Sequence, residues 1–553
     1  MAKTKAPPRW ARLPSPPSRS ELLRLALVIF GRLRRNPALP IRHIAAFAKE
    51  LLRVLRNKSE VAPSAGDKRF TDAAWSDRRW SSALVQVYLA ASQEAYALVN
   101  ELELDGRDAS SARFLATMLV EAMAPSNNPL TNPVVMQRVR ETKGRSLLRG
   151  LQHFISDRLD NAGMISMVDR TPFEVGRNVA CTPGDVVFRN EVCEVLQYKP
   201  QTAEVYSIPL VVVPPQINKF YVLDLSPGNS FVNYAVKQGF QVFMVSWRNP
   251  GPELAYLSLQ HYLQALEDAH RAVMEITGAD KVNFKGLCAG GLTLAIALGR
   301  YADQGKLDTV NTLTLNVTLL DIAGMEKTNM GYFLTPSGLE KSMKRSKQEG
   351  VLYGHEMAKM FAWLRPNDLV WNYWVNNYLM GKKPAAFDVL FWNSDATRLP
   401  AALHRDFCEL LKTNELGRGE VYQVEDAKVD LRKVDVDSFV VAGRTDHITP
   451  WDGCYKSVNL LGGESQFVLV NSGHIQTLVC PPGKGKASYQ TGETLPEDPH
   501  EWLEQSKPTI GSWWDLWVKW ASQRSGAKRP APKAPGSAKF PPIGAAPGDY
   551  VRT

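Results

Sequence analysis

Apolar residues near the start of the chain recur at helical spacing. Glu21–Arg35 and Ile41–Lys58 read as two short basic helices, the second with an apolar stripe through Ile44, Ala45, Phe47, Leu51, Leu52 and Leu55. Its Arg42, Lys49, Arg53 and Arg56 lie elsewhere on the surface. From Phe70 to about Asp169 the helical pattern continues around Trp75, Trp80 and Tyr88, with a break at Pro125-Ser126-Asn127-Asn128-Pro129. After Thr171 the period changes. Short β-rich runs are expected at Asp185–Arg189, Glu191–Gln197, Leu210–Val213, Phe220–Asp224, Gln241–Trp247, Val282–Lys285, Thr312–Val317, Ser438–Ala442 and Gln466–Val470. Helical stretches such as Leu257–Ile276 and Leu292–Tyr301 alternate with them, which predicts an α/β fold: a mostly parallel sheet with helices on both faces. Between Asp321 and about Asp430 the alternation lapses into an aromatic-rich, largely helical insertion, too long for a loop and better described as a cap.

The expected organisation is therefore a basic arm with amphipathic helices over residues 1–68, a helical domain over 69–170, a catalytic α/β domain over 171–522 with its cap at about 322–430, and a basic Pro/Ala-rich tail over 523–553. The first twenty residues, rich in Pro, Arg, Ser and Lys, are expected to lack fixed structure, and the low-complexity Pro/Ala/Lys/Gly tail Arg524–Thr553 is expected to be extended.

Charge sharpens this division. Residues 1–60 hold 14 Lys+Arg against 3 Asp+Glu, and residues 523–553 hold 6 against 1; of the chain's 66 and 56, residues 61–522 keep 46 and 52. The formal net charge of +10 thus belongs to the two ends, and the body is slightly acidic. That excludes a globular nucleic-acid module with specific recognition. The arm's helices could lie on an anionic or amphiphilic surface, or pack on their own protein. The six cysteines have neither metal-ligand spacing nor a disulfide framework, so no metal is expected and a reducing cytosol is favoured. Leu22–Phe30, interrupted by Arg24 and lacking a small-residue cleavage site, is read as neither a signal peptide nor a membrane span.

The chemistry is concentrated at Val282-Asn283-Phe284-Lys285-Gly286-Leu287-Cys288-Ala289-Gly290-Gly291, a strand running through Gly-x-Cys-x-Gly into a helix. Glycines on both sides of the central residue permit the cramped turn that lifts its side chain above a sheet, the nucleophile elbow in which serine is usual. Here the side chain is a thiol. The order nucleophile, acid, histidine then directs attention to Asp446, just past the strand Ser438–Ala442, and to His474, which ends the last parallel strand after Gly473. His447 adjoins Asp446, but neighbours on an extended turn point apart, so it is read as shaping the site. His474 would take the thiol proton. Asp446 would fix the imidazole tautomer or help activate a second, hydroxyl nucleophile. The N–H of Ala289 is the first candidate oxyanion donor; the second is expected in Val213-Pro214-Pro215-Gln216-Ile217-Asn218, with Ile217 preferred because proline has no N–H. A thiolate attacking a thioester makes another thioester of similar energy, which suits acyl transfer from a CoA-type donor better than hydrolysis.

These segments resemble the polyhydroxyalkanoate synthases, which polymerise (R)-3-hydroxyacyl-CoA into polyester and release CoA. The resemblance runs from about Phe70 to the tail and rests on Gly286–Gly290, Asp446-His447-Ile448-x-Pro450-Trp451, Ser472-Gly473-His474-Ile475, Pro214-Pro215-x-Ile217-Asn218-Lys219 and Ser246-Trp247-Arg248-Asn249-Pro250. Arg170-Thr171-Pro172-Phe173-Glu174-Val175-Gly176-Arg177-Asn178, Cys288-Ala289-Gly290-Gly291, Ser512-Trp513-Trp514 and Ala546-Pro547-Gly548-x-Tyr550-Val551 look most like the branch using medium-chain-length monomers. The resemblance implies an α/β-hydrolase-like catalytic domain with a helical cap and an N-terminal helical domain, with no cofactor beyond the CoA thioester of the substrate. It implies Cys288 as acyl acceptor, His474 as base, and Asp446 as an aid in activating the 3-hydroxyl. It further implies a homodimer at the surface of polyester granules in a bacterial cytoplasm, among granule-associated proteins. The competing readings are a polyester depolymerase or acyl-CoA thioesterase of the same fold, and a non-catalytic granule-surface protein using the basic arms.

Overall fold

The computed structural model describes residues 18–161, 163–483 and 487–553, so the expectation for the first twenty residues falls, over 1–17, outside the described residues. The chain divides into two compact units. One holds the residues up to Asp169 together with Glu326–Glu340 and His355–Phe387; the other holds Arg170–Met325, Lys341–Gly354 and Asp388–Thr553. The insertion is thus shared between them, because part of its aromatic helices pack with the N-terminal helices: Trp374 Nε1 donates to the Asn127 carbonyl (3.0 Å) and the Tyr378 hydroxyl to Asp157 (2.7 Å).

The first unit is helical: α1 (Arg19–Arg35), α2 (Ala38–Leu55), α3 (Arg79–Glu101), α4 (Gly106–Ala122), α5 (Pro133–Glu141) and α6 (Arg145–Asp160). Ser18 and Glu21 close a capping box on α1, satisfying amides that a helix start leaves bare. α2 lies on α3, with Leu39, His43 and Val54 buried and His43 Nδ1 2.6 Å from Glu94. The arm therefore packs on its own helices while Leu23, Leu27, Phe30, Ile41, Ile44, Leu52 and Leu55 stay 51–70% exposed.

In the second unit, among the described residues, one eleven-stranded sheet runs in the order β10-β9-β8-β7-β6-β5-β3-β4-β2-β1-β11. Its strands are β1 (Gly184–Arg189), β2 (Cys193–Tyr198), β3 (Leu210–Val213), β4 (Val242–Trp247), β5 (Val282–Leu287), β6 (Val310–Asn316), β7 (Asp437–Gly443), β8 (Ser465–Val470), β9 (Ser488–Thr491), β10 (Lys507–Ile510) and β11 (Gly544–Ala545). Strands β3 to β8 pair in parallel, with α8 (Leu259–Thr277) leading from β4 to β5, and β3, β4 and β5 are buried throughout. That is why β3 and β4 are nearly continuous apolar runs: a parallel strand covered on both faces has no solvent side to alternate with. The expected strand Phe220–Asp224 is instead a 3₁₀ turn, Phe220–Leu223, with all four residues buried. A short continuous apolar run records burial, and burial alone does not select a strand.

The tail is extended, and it is laid along the sheet. Ala545 and Gly544 pair with Asp185 and Val186, Lys528–Pro530 pair with Glu204–Tyr206, and the fully buried Glu194 accepts the N–H groups of Asp549 and Tyr550, each at 3.1 Å. Its charges are spent locally, with Arg524 on Asp437 (2.8 Å) and the Lys528 ammonium 5.1 Å from the Tyr206 ring centre.

Lys285, in β5, is fully buried between α7 (Phe231–Lys237) and a late tryptophan-rich helix, Trp513–Ser522. Its Nζ donates to Asn316 and lies 4.4, 4.8 and 5.3 Å from the ring centres of Phe231, Trp513 and Trp517. Burial drives its amine well below the usual lysine value, while the three rings offer their negative faces to whatever charge it carries.

Candidate active site

Strand β5 delivers Cys288 to the first position of α9 (Cys288–Asp303) with φ of 47°. An L-residue avoids this left-handed region, and the strain is the elbow itself. The glycines are required by close approach: a Cβ at Gly286 would meet the Gly291 Cα at 2.6 Å, and one at Gly290 would meet the Pro214 carbonyl oxygen at 2.2 Å. Any side chain at 290 would therefore displace the loop after β3 that carries the second candidate oxyanion donor.

Strands β7 and β8 are neighbours in the sheet, and their carboxyl ends bring Asp446 and His474 together. His474 Nδ1 lies 2.6 Å from Asp446 Oδ2. The Cys288 thiol is a neighbour of the imidazole. Burial of the ring works to lower its pKa, but the Asp446 carboxylate and the Cys288 sulfur outweigh burial and lift His474 to about 10. Burial likewise works to raise Asp446, and the charge and hydrogen bond of His474 with the donors of Thr449 hold it below the usual carboxylate value.

The Asp446 carboxylate has four donors. Oδ1 accepts the N–H groups of Ile448 (2.8 Å) and Thr449 (3.0 Å), and Oδ2 accepts the Thr449 hydroxyl (2.7 Å) and His474. Thr449 Oγ1 also stands 3.1 Å from His474 Nδ1, so this threonine spans the pair. The sequence reading passed over it. The signal was there in Asp446-His447-Ile448-Thr449, since an Asp accepting the amides two and three positions on is an Asx turn, and a Thr at the third position returns its hydroxyl to the same carboxylate.

Of the six cysteines, only Cys288 stands on the elbow. Burial raises the thiols of Cys181, Cys193, Cys408, Cys454 and Cys480, and Cys408 is pushed up to about 12. Cys454, closest to the site's chemistry, has its thiol turned to the Thr449 carbonyl at 3.7 Å. Thiols held in the protonated form by burial are poor nucleophiles. Ala289 follows Cys288 in α9, and Ile217 lies on the loop held against Gly290 by Pro214. Among the described residues, no group of three or more His, Cys, Asp or Glu could hold a metal ion.

A parallel sheet with a thiol on a strand-to-helix elbow, and an Asp–His pair at the ends of the following strands, defines an enzyme of the α/β-hydrolase fold. The alpha/beta hydrolase family model matches residues 209–479, and the model for the N-terminus of poly-beta-hydroxybutyrate polymerase matches residues 66–235. The chain is 46% identical to poly(3-hydroxyalkanoate) polymerase 2 of Ectopseudomonas oleovorans, over 94% of this chain and 92% of that one. It is 44% identical to polymerase 1 of the same organism, over 96% and 95%, and 38% identical to a polymerase subunit of Cupriavidus necator, over 92% and 87%. The chain belongs to the poly(3-hydroxyalkanoate) polymerase family, whose members are acyltransferases.

Proposed function

We propose that this chain polymerises (R)-3-hydroxyacyl groups from CoA through a thioester on Cys288, with His474 moving the protons and Asp446 holding His474. The observation that carries the reading is the pair itself: the His474 imidazole lies 2.6 Å from the buried Asp446 carboxylate, beside a cysteine on a strained strand-to-helix elbow. An imidazole held in this way takes the Cys288 proton and leaves the thiolate as nucleophile. The thiolate attacks the acyl carbonyl of the CoA thioester; the C–S bond to CoA breaks, and the departing sulfur takes the proton of His474. The imidazole, now neutral, accepts the proton of a 3-hydroxyl from a second hydroxyacyl unit as that oxygen attacks the Cys288 thioester. An ester forms, the Cys288–acyl bond breaks, and the imidazolium–thiolate pair returns. Asp446 has all its acceptor positions occupied by Ile448, Thr449 and His474, which supports the orienting role over direct capture of a substrate proton.

The test is incubation with (R)-3-hydroxyacyl-CoAs of four to twelve carbons. CoA release with insoluble polymer, fastest for the medium-length members, is expected; free hydroxy acid as the main product would identify a thioesterase or depolymerase instead.

The same reading places the chain as a homodimer on polyester granules in a bacterial cytoplasm. The apolar side chains exposed on α1 and α2, from Leu23 to Leu55, lie among Arg24, Arg34, Arg42 and Arg53, which suits an amphiphilic surface. Among the described residues, no helix is long and apolar enough to cross a membrane. Deleting residues 1–60 is expected to lower the granule-bound fraction several-fold at low salt, less so at high salt; unchanged, salt-insensitive binding would exclude the arm.

A further inference from the structure

The loop after β3 is pinned from two sides. Towards the elbow, Gly290 packs on the Pro214 carbonyl, which also accepts the Trp247 indole N–H at 2.8 Å. The Gln216 side-chain amide donates to Thr293 Oγ1 in α9 at 3.0 Å, and that hydroxyl donates to the Ala289 carbonyl at 3.0 Å. On the other side lies a later part of the insertion, α10 (Asp388–Asn393) and the residues after it. The Thr397 hydroxyl donates to the Gln216 carbonyl at 2.8 Å, Asn218 bridges to Ala396, the Trp392 indole donates to the Lys219 carbonyl at 2.7 Å, and the Tyr221 hydroxyl donates to Asp395 at 2.7 Å. Gln216 and Thr397 are 3% and 2% exposed.

The bond from Thr397 has a directional consequence. A peptide unit is planar and trans, so its C=O and N–H point in opposite directions. The Gln216 carbonyl shares its unit with the N–H of Ile217. A hydroxyl that holds this carbonyl therefore sets which way the Ile217 N–H points.

We infer that Thr397 is a positioning residue for acyl transfer: by anchoring the Gln216 carbonyl it aims the Ile217 N–H as the second oxyanion donor. The inference rests on the reading of Ile217 as that donor. It makes the insertion part of the catalytic apparatus, because the residue that orients the loop comes from a segment 181 positions further along the chain. Without the hydroxyl, the peptide plane is free to rotate, and a donor aimed at the developing oxyanion gives way to one aimed elsewhere. Since the oxyanion exists only near the transition state, the loss falls on kcat.

The test compares Thr397→Val, which keeps shape and removes the hydroxyl, with Thr397→Ser, which restores it, by CoA release from an (R)-3-hydroxyacyl-CoA and by thermal unfolding. Thr397→Val is expected to lower kcat about 10–100-fold, part of the effect of losing one oxyanion donor, with KM changed by less than about twofold. Thr397→Ser should stay within about threefold of the unaltered chain, and the pH profile of both variants should not move, because neither touches His474. Wild-type kcat in Thr397→Val, a loss confined to KM, or a loss that Ser does not restore and that follows a lowered melting temperature would overturn the inference. Ile217→Pro, which deletes the N–H, separates the two layers. A slow, folded Ile217→Pro beside a fully active Thr397→Val leaves the donor standing and removes Thr397; a fully active Ile217→Pro removes the donor itself.

Discussion

Cys288→Ala is expected to release CoA at least about 10⁴-fold more slowly than the unaltered chain, since deleting a nucleophile removes the covalent route and leaves only binding and any oxyanion donors. The folded state should be nearly untouched: Cys288 is half-buried, and alanine fills less of the same turn. The strained φ of 47° remains and is paid with no catalytic return. Cys288→Ser is the sharper variant. A hydroxyl at the elbow keeps the geometry of ordinary α/β hydrolases but is a far weaker acid than a thiol, and its acyl-enzyme would be an oxygen ester. The step that passes the acyl group to a 3-hydroxyl would then start from an ester, without the thioester's activation. Slow turnover shifted towards free acid is the expected result. Turnover of Cys288→Ser at the original rate, with normal polymer, would show that the thiol is incidental. Cys454 gives no rescue, since burial holds its thiol well above the usual cysteine value and its hydrogen bond turns it to a backbone carbonyl.

His474→Gln should lower CoA release on the order of 10³–10⁴-fold, because both proton transfers pass through this ring. The same substitution carries a pH signature in stability. The imidazole titrates at 6.5 when exposed and at about 10 in the folded chain. Its contribution is therefore fully present below pH 6.5 and is lost as pH rises from there towards 10. The stability gap between the unaltered chain and His474→Gln should narrow over that window, measured by denaturant midpoints at a series of pH values. On the acid side the sign reverses for Asp446, whose contribution is present above 3.8 and fades as pH falls below it. A gap that widens from pH 6.5 to 10 would mean that the folded ring is not held as an imidazolium by Asp446.

Much of this site could be read along the chain because its parts are local. Gly286-x-Cys288-x-Gly290 is a strand, a turn and a helix within one stretch, and its glycines answer contacts at 2.6 and 2.2 Å that allow no Cβ. Asp446 and His474 each follow an apolar strand, and parallel neighbours bring their carboxyl ends together. What was not legible depends on contacts far apart in sequence. Thr397 meets Gln216 across 181 positions, and the division of the insertion between two units reflects which helices its aromatics find, which spacing does not record. The run Phe220–Leu223 was misread for a related reason: its apolar residues report that it is buried, and the turn that buries it is set by neighbours. The tail's composition, poor in bulky apolar residues, hid a segment whose order comes from backbone pairing with β1 and from the amides that Glu194 accepts.

The most direct test of the central claim is to mix the protein briefly with an (R)-3-hydroxyacyl-CoA, quench in acid, and locate the acyl group by peptide mass spectrometry. The account predicts a hydroxylamine-sensitive acyl thioester on the peptide carrying Cys288, absent in Cys288→Ala and accumulating in step with CoA release. Acylation at another residue, or CoA release at full rate with Cys288 never acylated, would contradict it.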